Sequence, residues 1–220
     1  MFGIKVEKTD YGFFVEGGQK YIPCDCVCEG DWSNAAFFLC SGGINSEVTC
    51  TGIDINSSQG DKKIVEILKR FGAQYIVKEN SVTVSPPKAK LCGISIDAED
   101  IPDIIPIICA VAACAEGETH IYNASRLRIK ESDRIAATEH ILNSMGVKTH
   151  ATKDTLIVYG VGKENIHSAR IDAHNDHRIA MTAAILAMCA DADTIITGAE
   201  CVKKLFPDFF LKLSEAGGKC

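Results

Sequence analysis

Three stretches of the chain are apolar at almost every position: Ala35 to Cys40, Ile104 to Cys114, and Ile179 to Met188. The pattern predicts helices that are apolar nearly all round, and such helices have to be buried on every side. Each run follows an aspartate able to cap a helix start, in Gly30-Asp31, Pro102-Asp103 and Asn175-Asp176. These aspartates lie 72 and 73 residues apart, so the chain repeats itself. A second pattern runs in step: Ile64, Ile67, Leu68 and Phe71, then Ile135, Thr138, Leu142 and Met145, recur at three- and four-residue intervals, and Phe209-Phe210-Leu211-Lys212-Leu213 follows in the third place. That spacing predicts amphipathic helices. Asp61, Asp133 and Asp208 precede them, and Gly72, Gly146 and Gly217 close them as C-terminal caps would. Hairpins are expected after the first two, pairing Gln74–Val77 with Ser81–Val84 and Lys148–His150 with Thr155–Val158. Three such units would bury the apolar helices against one another, with sheets and amphipathic helices outside. Their helix starts would then gather at one end and form an electropositive floor suited to anions.

The repeat also organises the ends. Phe2-Gly3-Ile4-Lys5-Val6 matches Phe71-Gly72-Ala73-Gln74-Tyr75 and Met145-Gly146-Val147-Lys148-Thr149. Residues 1–20 therefore read as the trailing hairpin of a truncated preceding unit, and 21–220 as one domain with units at about 21–86, 87–160 and 161–220. The chain stops at Cys220 without a third hairpin, which leaves exposed sheet edges in the third unit. The Ile4–Val15 segment has the pattern to fill that place, within the chain or in a neighbouring copy.

Composition narrows the class. With 46% hydrophobic and 24% charged residues over 220 positions, the chain reads as a soluble globular protein. A net charge of −6 argues against general nucleic-acid binding but leaves room for a local basic pocket. No apolar run reaches membrane-span length, and the N-terminal residues do not resemble a signal peptide. Eleven cysteines is a high and odd count. Cys109, Cys114 and Cys189 lie in apolar runs and read as small buried hydrophobes. Cys24, Cys26 and Cys28 alternate and would share one face of a strand, where a metal or disulfide role stays open. Without Cys-x2-Cys spacings or a nearby histidine pair, the cysteines read as those of a reducing cytoplasm.

Candidate chemistry is densest in Ser125–Arg134, Ser-Arg-Leu-Arg-Ile-Lys-Glu-Ser-Asp-Arg, at the start of the second amphipathic helix. Lys130 and Arg134 are four residues apart, so they are expected to share one face of its first turn. Two cations beside free helix-start amides make a site for phosphate or carboxylate. A solvated helix start with local ion pairs would carry the same letters.

Lys130-Glu131-Ser132-Asp133-Arg134, Asn175-Asp176-His177-Arg178 and Lys204-Leu205-Phe206-Pro207-Asp208 resemble the signature segments of the 5-enolpyruvylshikimate-3-phosphate synthase family. Glu29-Gly30-Asp31-Trp32-Ser33-Asn34-Ala35, Gln59-Gly60-Asp61 and Ile101-Pro102-Asp103 fit it in the same order. The resemblance covers the C-terminal half of the family's length. It implies an α/β (α+β) fold, an inside-out α/β barrel domain of three helix-and-sheet units with buried helices. It also implies transfer of the enolpyruvyl group of phosphoenolpyruvate to the 5-hydroxyl of shikimate 3-phosphate, with no metal or organic cofactor. By similarity, Asp103 is the general base at the target hydroxyl. Lys130 stands near that hydroxyl and the shikimate phosphate, and Glu131 exchanges a proton with the methylene carbon. Arg134, Arg178 and Lys204 form the phosphoenolpyruvate clamp. Asp176 and His177 lie between clamp and helix cap, and Asp31 reads as a cap alone. Arg128 and Lys203 read as surface charges, and the remaining histidines as solvated or locally bonded.

Some relatives carry asparagine where Arg126 stands, as a ligand to shikimate phosphate. The family's N-terminal Lys-Ser pair, its Asn-Ala-Gly or Asn-Ser-Gly loop with a further clamp arginine, and its serine-rich phosphate pocket do not occur in these 220 residues. The fragment is therefore expected to be inactive without an N-terminal domain, its partners being the two substrates and that domain, with no nucleic acid and no membrane. Two other readings stand beside this one. One is a non-catalytic binding or assembly module that pairs with a separate N-terminal polypeptide. The other is a domain like the enolpyruvyl transferase acting on UDP-N-acetylglucosamine, against which the Lys-Glu-Ser-Asp-Arg and Asn-Asp-His-Arg segments argue.

Overall fold

Three helices form the interior, and their sequences explain why. The computed structural model describes residues 2–218, so the chain end at Lys219 and Cys220, where the third hairpin is expected to be missing, lies outside the described residues. Helix α1 spans Trp32–Ile44, α3 spans Ile105–Ala113 and α5 spans His177–Ala187, and they pack on one another. Every residue of α3 is buried. The amphipathic helices α2 (Ile64–Phe71), α4 (Arg134–Ser144) and α6 (Phe209–Glu215) lie outside this core. On α2, Ile64, Val65, Ile67, Leu68 and Phe71 face inward while Glu66, Lys69 and Arg70 face solvent. Gly72, Gly146 and Gly217 follow these helices at φ of +105°, +87° and +96°, the left-handed conformation that ends a helix.

Strands lie outside the helices as separate sheets. The first has the order β3 (Val48–Thr51), β5 (Ser81–Ser85), β4 (Gln74–Lys78), all antiparallel. The second has the order β6 (Ser95–Asp97), β7 (Glu116–Tyr122), β9 (Leu156–Val161), β8 (Thr149–Ala151), with β6 parallel to β7. The third pairs β10 (Arg170–Asp172) with β11 (Ile195–Thr197) in parallel. Buried helices thus serve as the crossovers of β6–α3–β7 and β10–α5–β11. The result is a mixed α/β fold with helices inside and sheets outside. Among the described residues the sheets do not join into one closed hydrogen-bonded ring. No helix there is long and apolar enough to cross a membrane.

Three expectations are corrected. Cys24, Cys26 and Cys28 lie in an exposed stretch ahead of α1 that forms no strand, in the place where the other units carry β6 and β10. Alternation therefore does not put the three thiols on a strand face. Among the described residues the N-terminal hairpin, β1 (Glu7–Thr9) with β2 (Gly12–Phe14), pairs with itself and does not extend β10–β11 within this chain, which leaves only the neighbouring-copy form of that expectation. Local bonds hold it back on its own segment: Lys5 N–H donates to Gln19 Oε1 and Ile22 N–H to the Phe2 carbonyl. Lastly, Lys130 precedes α4 instead of sharing its first turn. Residues Ser125–Ile129 form a 3₁₀ turn, and Lys130 leaves it in extended conformation.

One close approach limits how the second sheet meets the core. A Cβ at Gly160 on β9 would stand 2.3 Å from the Ala115 carbonyl oxygen and 2.5 Å from that of Ala112. Backbone on both sides cannot yield cheaply, so Gly160→Ala is expected to destabilise by about 1–3 kcal/mol or more. Gly17→Ala, which meets nothing within 4 Å, should stay within about 0.5 kcal/mol. Urea unfolding of both variants provides the comparison.

Candidate active site

Asp103 stands two residues ahead of α3, and its carboxylate does not cap that helix. Ile104 holds the cap position without a side-chain bond, and Pro106 sits in the first turn, where a missing N–H costs nothing. Three cations take the carboxylate instead. Lys130 Nζ lies 3.1 Å and an Arg134 terminal nitrogen 2.7 Å from the same Asp103 oxygen, while Arg178 stands 3.8 Å from the other. Arg178 also donates to the Asp103 carbonyl at 3.1 Å. Burial pushes the Asp103 carboxyl up, but Arg178, Lys130 and Arg134 together outweigh it and hold it below the ordinary range.

Beneath this lies a buried layer. Asp176 is fully buried and caps α5 by accepting from the Arg178 N–H at 3.0 Å. The same carboxylate accepts from Arg134 Nε at 2.8 Å, from its second terminal nitrogen at 3.3 Å, and from Ser132 Oγ at 3.0 Å. Burial works against its charge, and these donors reverse the balance and lower its pKa. Arg134 therefore bridges Asp103 and Asp176 with its side chain only 3% exposed. Its guanidinium is engaged by two protein carboxylates. Lys130 and Arg178 present the looser contacts.

Glu131, His177 and Lys204 form an adjoining group. His177 Nδ1 lies 3.1 Å from a Glu131 oxygen, and Lys204 Nζ stands 3.9 Å from that oxygen. Lys204 also donates to the Asn175 carbonyl at 2.6 Å. His174 and Asn175 carry left-handed φ of 50° and 54°, and that turn leads directly into the Asp176 cap. His177 Nε2 is buried and finds no partner among the described residues. Burial lowers the imidazole's proton affinity and Arg178 adds to it, while Glu131 opposes; the net direction is down, toward neutral imidazole. Glu131, Asp176 and His177 each bring a ligand atom within 4.8 Å of the others, a spacing a cation could bridge. Asp176 is already saturated by Arg134, Ser132 and the α5 start, however, and Lys204 crowds Glu131 with positive charge. This charge pattern suits an anion.

Seven of the eight residues singled out from sequence thus fall into two touching groups, Asp103, Lys130, Arg134, Asp176 and Arg178 in one, Glu131 and His177 in the other; Lys204 borders the second. Arg128 instead ties its own turn to Asp133 at 2.8 Å and to the Lys153 carbonyl at 2.9 Å. Arg126 donates to the Glu99 carbonyl at 3.0 Å. Asp61 was missed as a site residue. It accepts a hydrogen bond from Ser33 Oγ in α1, and burial pushes its carboxyl above the ordinary range although the Ser33 bond and nearby Arg178 oppose. A partner 28 positions away leaves no local signal. Chemically, the site offers a carboxylate under strong cationic restraint beside a carboxylate–imidazole pair, a layout able to hold a multiply charged anion and move protons next to it.

A family model described as EPSP synthase (3-phosphoshikimate 1-carboxyvinyltransferase) matches residues 1–213. The chain is 41% identical over 221 residues to the 3-phosphoshikimate 1-carboxyvinyltransferase of Methanococcus maripaludis strain C7, covering 98% of this chain and 51% of that protein. The enzyme of the same name from Methanocaldococcus jannaschii is 43% identical over 209 residues, covering 94% and 48%. Among solved structures, an EPSP synthase from Acinetobacter baumannii superposes with a TM-score of 0.85 at 29% identity, over 99% of this chain and 53% of that one. The enolpyruvyl transferase NikO from Streptomyces tendae shares the fold at TM-score 0.77 and 20% identity, over 99% and 51%. The chain spans about half the length of the curated relatives it matches.

Folding lowers the proton affinity of Asp103, Asp176 and His177. The unfolded chain then binds more protons on the acid side, so stability declines as pH falls. The His177 share is full above the ordinary histidine pKa and is lost as pH falls below about 6.5; the two carboxylates' share is lost below about 4. His177→Gln should remove the upper limb of that decline in a pH series of urea midpoints. Asp176→Ala leaves the Arg134 charge buried against Asp103 alone and should cost about 3–5 kcal/mol at neutral pH.

Proposed function

The chain belongs to the EPSP synthase family, and on that premise we propose that it carries the acid–base groups of an enolpyruvyl transfer. In this reading phosphoenolpyruvate donates its enolpyruvyl group to the 5-hydroxyl of shikimate 3-phosphate and phosphate is released. A single observation carries the proposal: Asp103 stands under Lys130, Arg134 and Arg178, beside the Glu131–His177 pair.

The three cations make Asp103 a weak base while no anion is present. Substrate phosphate and carboxylate groups compete for Lys130 and Arg178, whose contacts with Asp103 are longer than that of Arg134. As those cations turn to substrate, the restraint on Asp103 loosens and its basicity rises where the hydroxyl proton must be taken. Glu131 exchanges a proton with the methylene carbon. It gives one as the hydroxyl adds to the neighbouring carbon, and takes one back as phosphate leaves. Neutral His177 and Lys204 hold Glu131 in place. Arg134, fixed by Asp176, keeps Asp103 aimed throughout.

The remaining clamp and shikimate-site groups belong to an N-terminal domain, so this chain alone binds phosphoenolpyruvate weakly and does not turn over. Its many free thiols support a reducing, cytoplasmic setting.

Phosphate release from phosphoenolpyruvate and shikimate 3-phosphate tests the reading, with this chain alone and with an N-terminal half supplied in trans or in fusion. Turnover is expected only with both halves, and Asp103→Asn should then lower kcat by about 10²–10⁴-fold. Turnover by the chain alone, or a combined enzyme that tolerates Asp103→Asn, refutes it. Preference for a nucleotide-sugar acceptor would reassign the substrate.

A further inference from the structure

The buried helices have a second end, far from the anion site. Helices α3 and α5 run 9 and 11 residues, which puts their C-terminal ends roughly 14–17 Å from their starts at about 1.5 Å per residue. There the repeat gathers Asn45, Cys114 and Cys189, at or just past the ends of α1, α3 and α5. Cys114 Sγ donates to Cys189 Sγ at 4.0 Å, and Cys189 Sγ donates to Asn45 Oδ1 at 3.3 Å. The Asn45 amide nitrogen is buried and finds no partner among the described residues. A cavity of about 190 Å³ bordered by Pro87, Lys90, Gly162, Lys163 and Glu164 reaches Cys114, and Cys189 is half-buried. Cys40 and Cys109 differ: both are sealed in the core, where burial pushes their thiols up.

We infer that Cys114 and Cys189 are an oxidisable dithiol, a disulfide site joining the far ends of α3 and α5, with a small peroxide as oxidant. The bond Cys114 donates draws the Cys189 thiol below its ordinary range, favouring Cys189 as the attacking sulfur. That sulfur attacks one peroxide oxygen, the O–O bond breaks, and the thiol proton leaves with the departing hydroxide as water, giving a sulfenic acid. The Cys114 sulfur then displaces the sulfenic hydroxyl, which takes the Cys114 proton and departs as a second water. Two thiols lose two electrons and the peroxide gains them. The sulfurs must close from 4.0 Å to about 2.05 Å, a movement available to the partly exposed Cys189 side chain.

The test treats the chain with hydrogen peroxide and maps its peptides under non-reducing conditions with fragmentation. It uses the wild-type chain and a variant in which Cys24, Cys26, Cys28, Cys92 and Cys220 are replaced by serine. Both should yield a linked pair of peptides joined at Cys114 and Cys189, lighter by two hydrogens and restored by a thiol reductant. Adding Cys189→Ser, or separately Cys114→Ser, should abolish the link. Oxidation of the folded wild-type chain that leaves Cys114 and Cys189 as thiols, or carries either to sulfonic acid unlinked, overturns the inference.

Discussion

An arginine buried between two carboxylates holds the site together. With only 3% of the Arg134 side chain exposed, removing either acid would leave a buried charge with half its compensation, and removing both would strand it. The penalty for a stranded buried charge far exceeds what a surface ion pair contributes. The arrangement therefore ties the loop before α3, the start of α4 and the start of α5 to one another. It sets the positions of the other two cations, because Lys130 and Arg178 approach a carboxylate that Arg134 has already oriented. Stability and chemistry meet at this residue: the same guanidinium that completes the interior also restrains the basicity of Asp103.

Comparison of the repeated units shows how such a site can arise from a symmetric frame. Asp31 and Asp176 cap α1 and α5, yet Asp103, at the matching position, does not cap α3. Released from that duty, its carboxylate is available to three cations. Among the outer helices, Asp133 caps α4 by accepting from the Ala136 N–H, Asp208 forms no cap bond, and Asp61 turns to Ser33. Position in the repeat puts an acid at each helix start, and the neighbours decide whether it caps a helix or bridges cations.

Much of this could be read from residues alone, and the rest could not for identifiable reasons. The buried helices were legible because an apolar face all round has few other resting places, and the glycines after α2, α4 and α6 marked their ends. Strands β6 and β10 went unread, since three residues are too few to display an alternation. The trio Cys24, Cys26 and Cys28 showed the converse, a period of two with no partner strand to use it. Residue types at the site were legible by motif, but their bonding was not. Lys130 and Arg134 meet at one oxygen of Asp103 because a 3₁₀ turn delivers the first and a helix the second, and no spacing rule contains that. The engagement of Arg134 by Asp176 depends on a partner 42 positions away.

The turn before α5 carries a consequence for how this sequence can drift. His174 and Asn175 both sit in left-handed conformation, and Lys204 rests on the carbonyl of the second. Few side chains accept that backbone without strain, asparagine and glycine foremost. A lineage exploring replacements here would meet a narrow alphabet, although neither side chain need touch a ligand. Selection on where a lysine points would then be recorded as conservatism in two neighbouring letters, and a reader of ancestry would mistake a constraint on shape for one on chemistry.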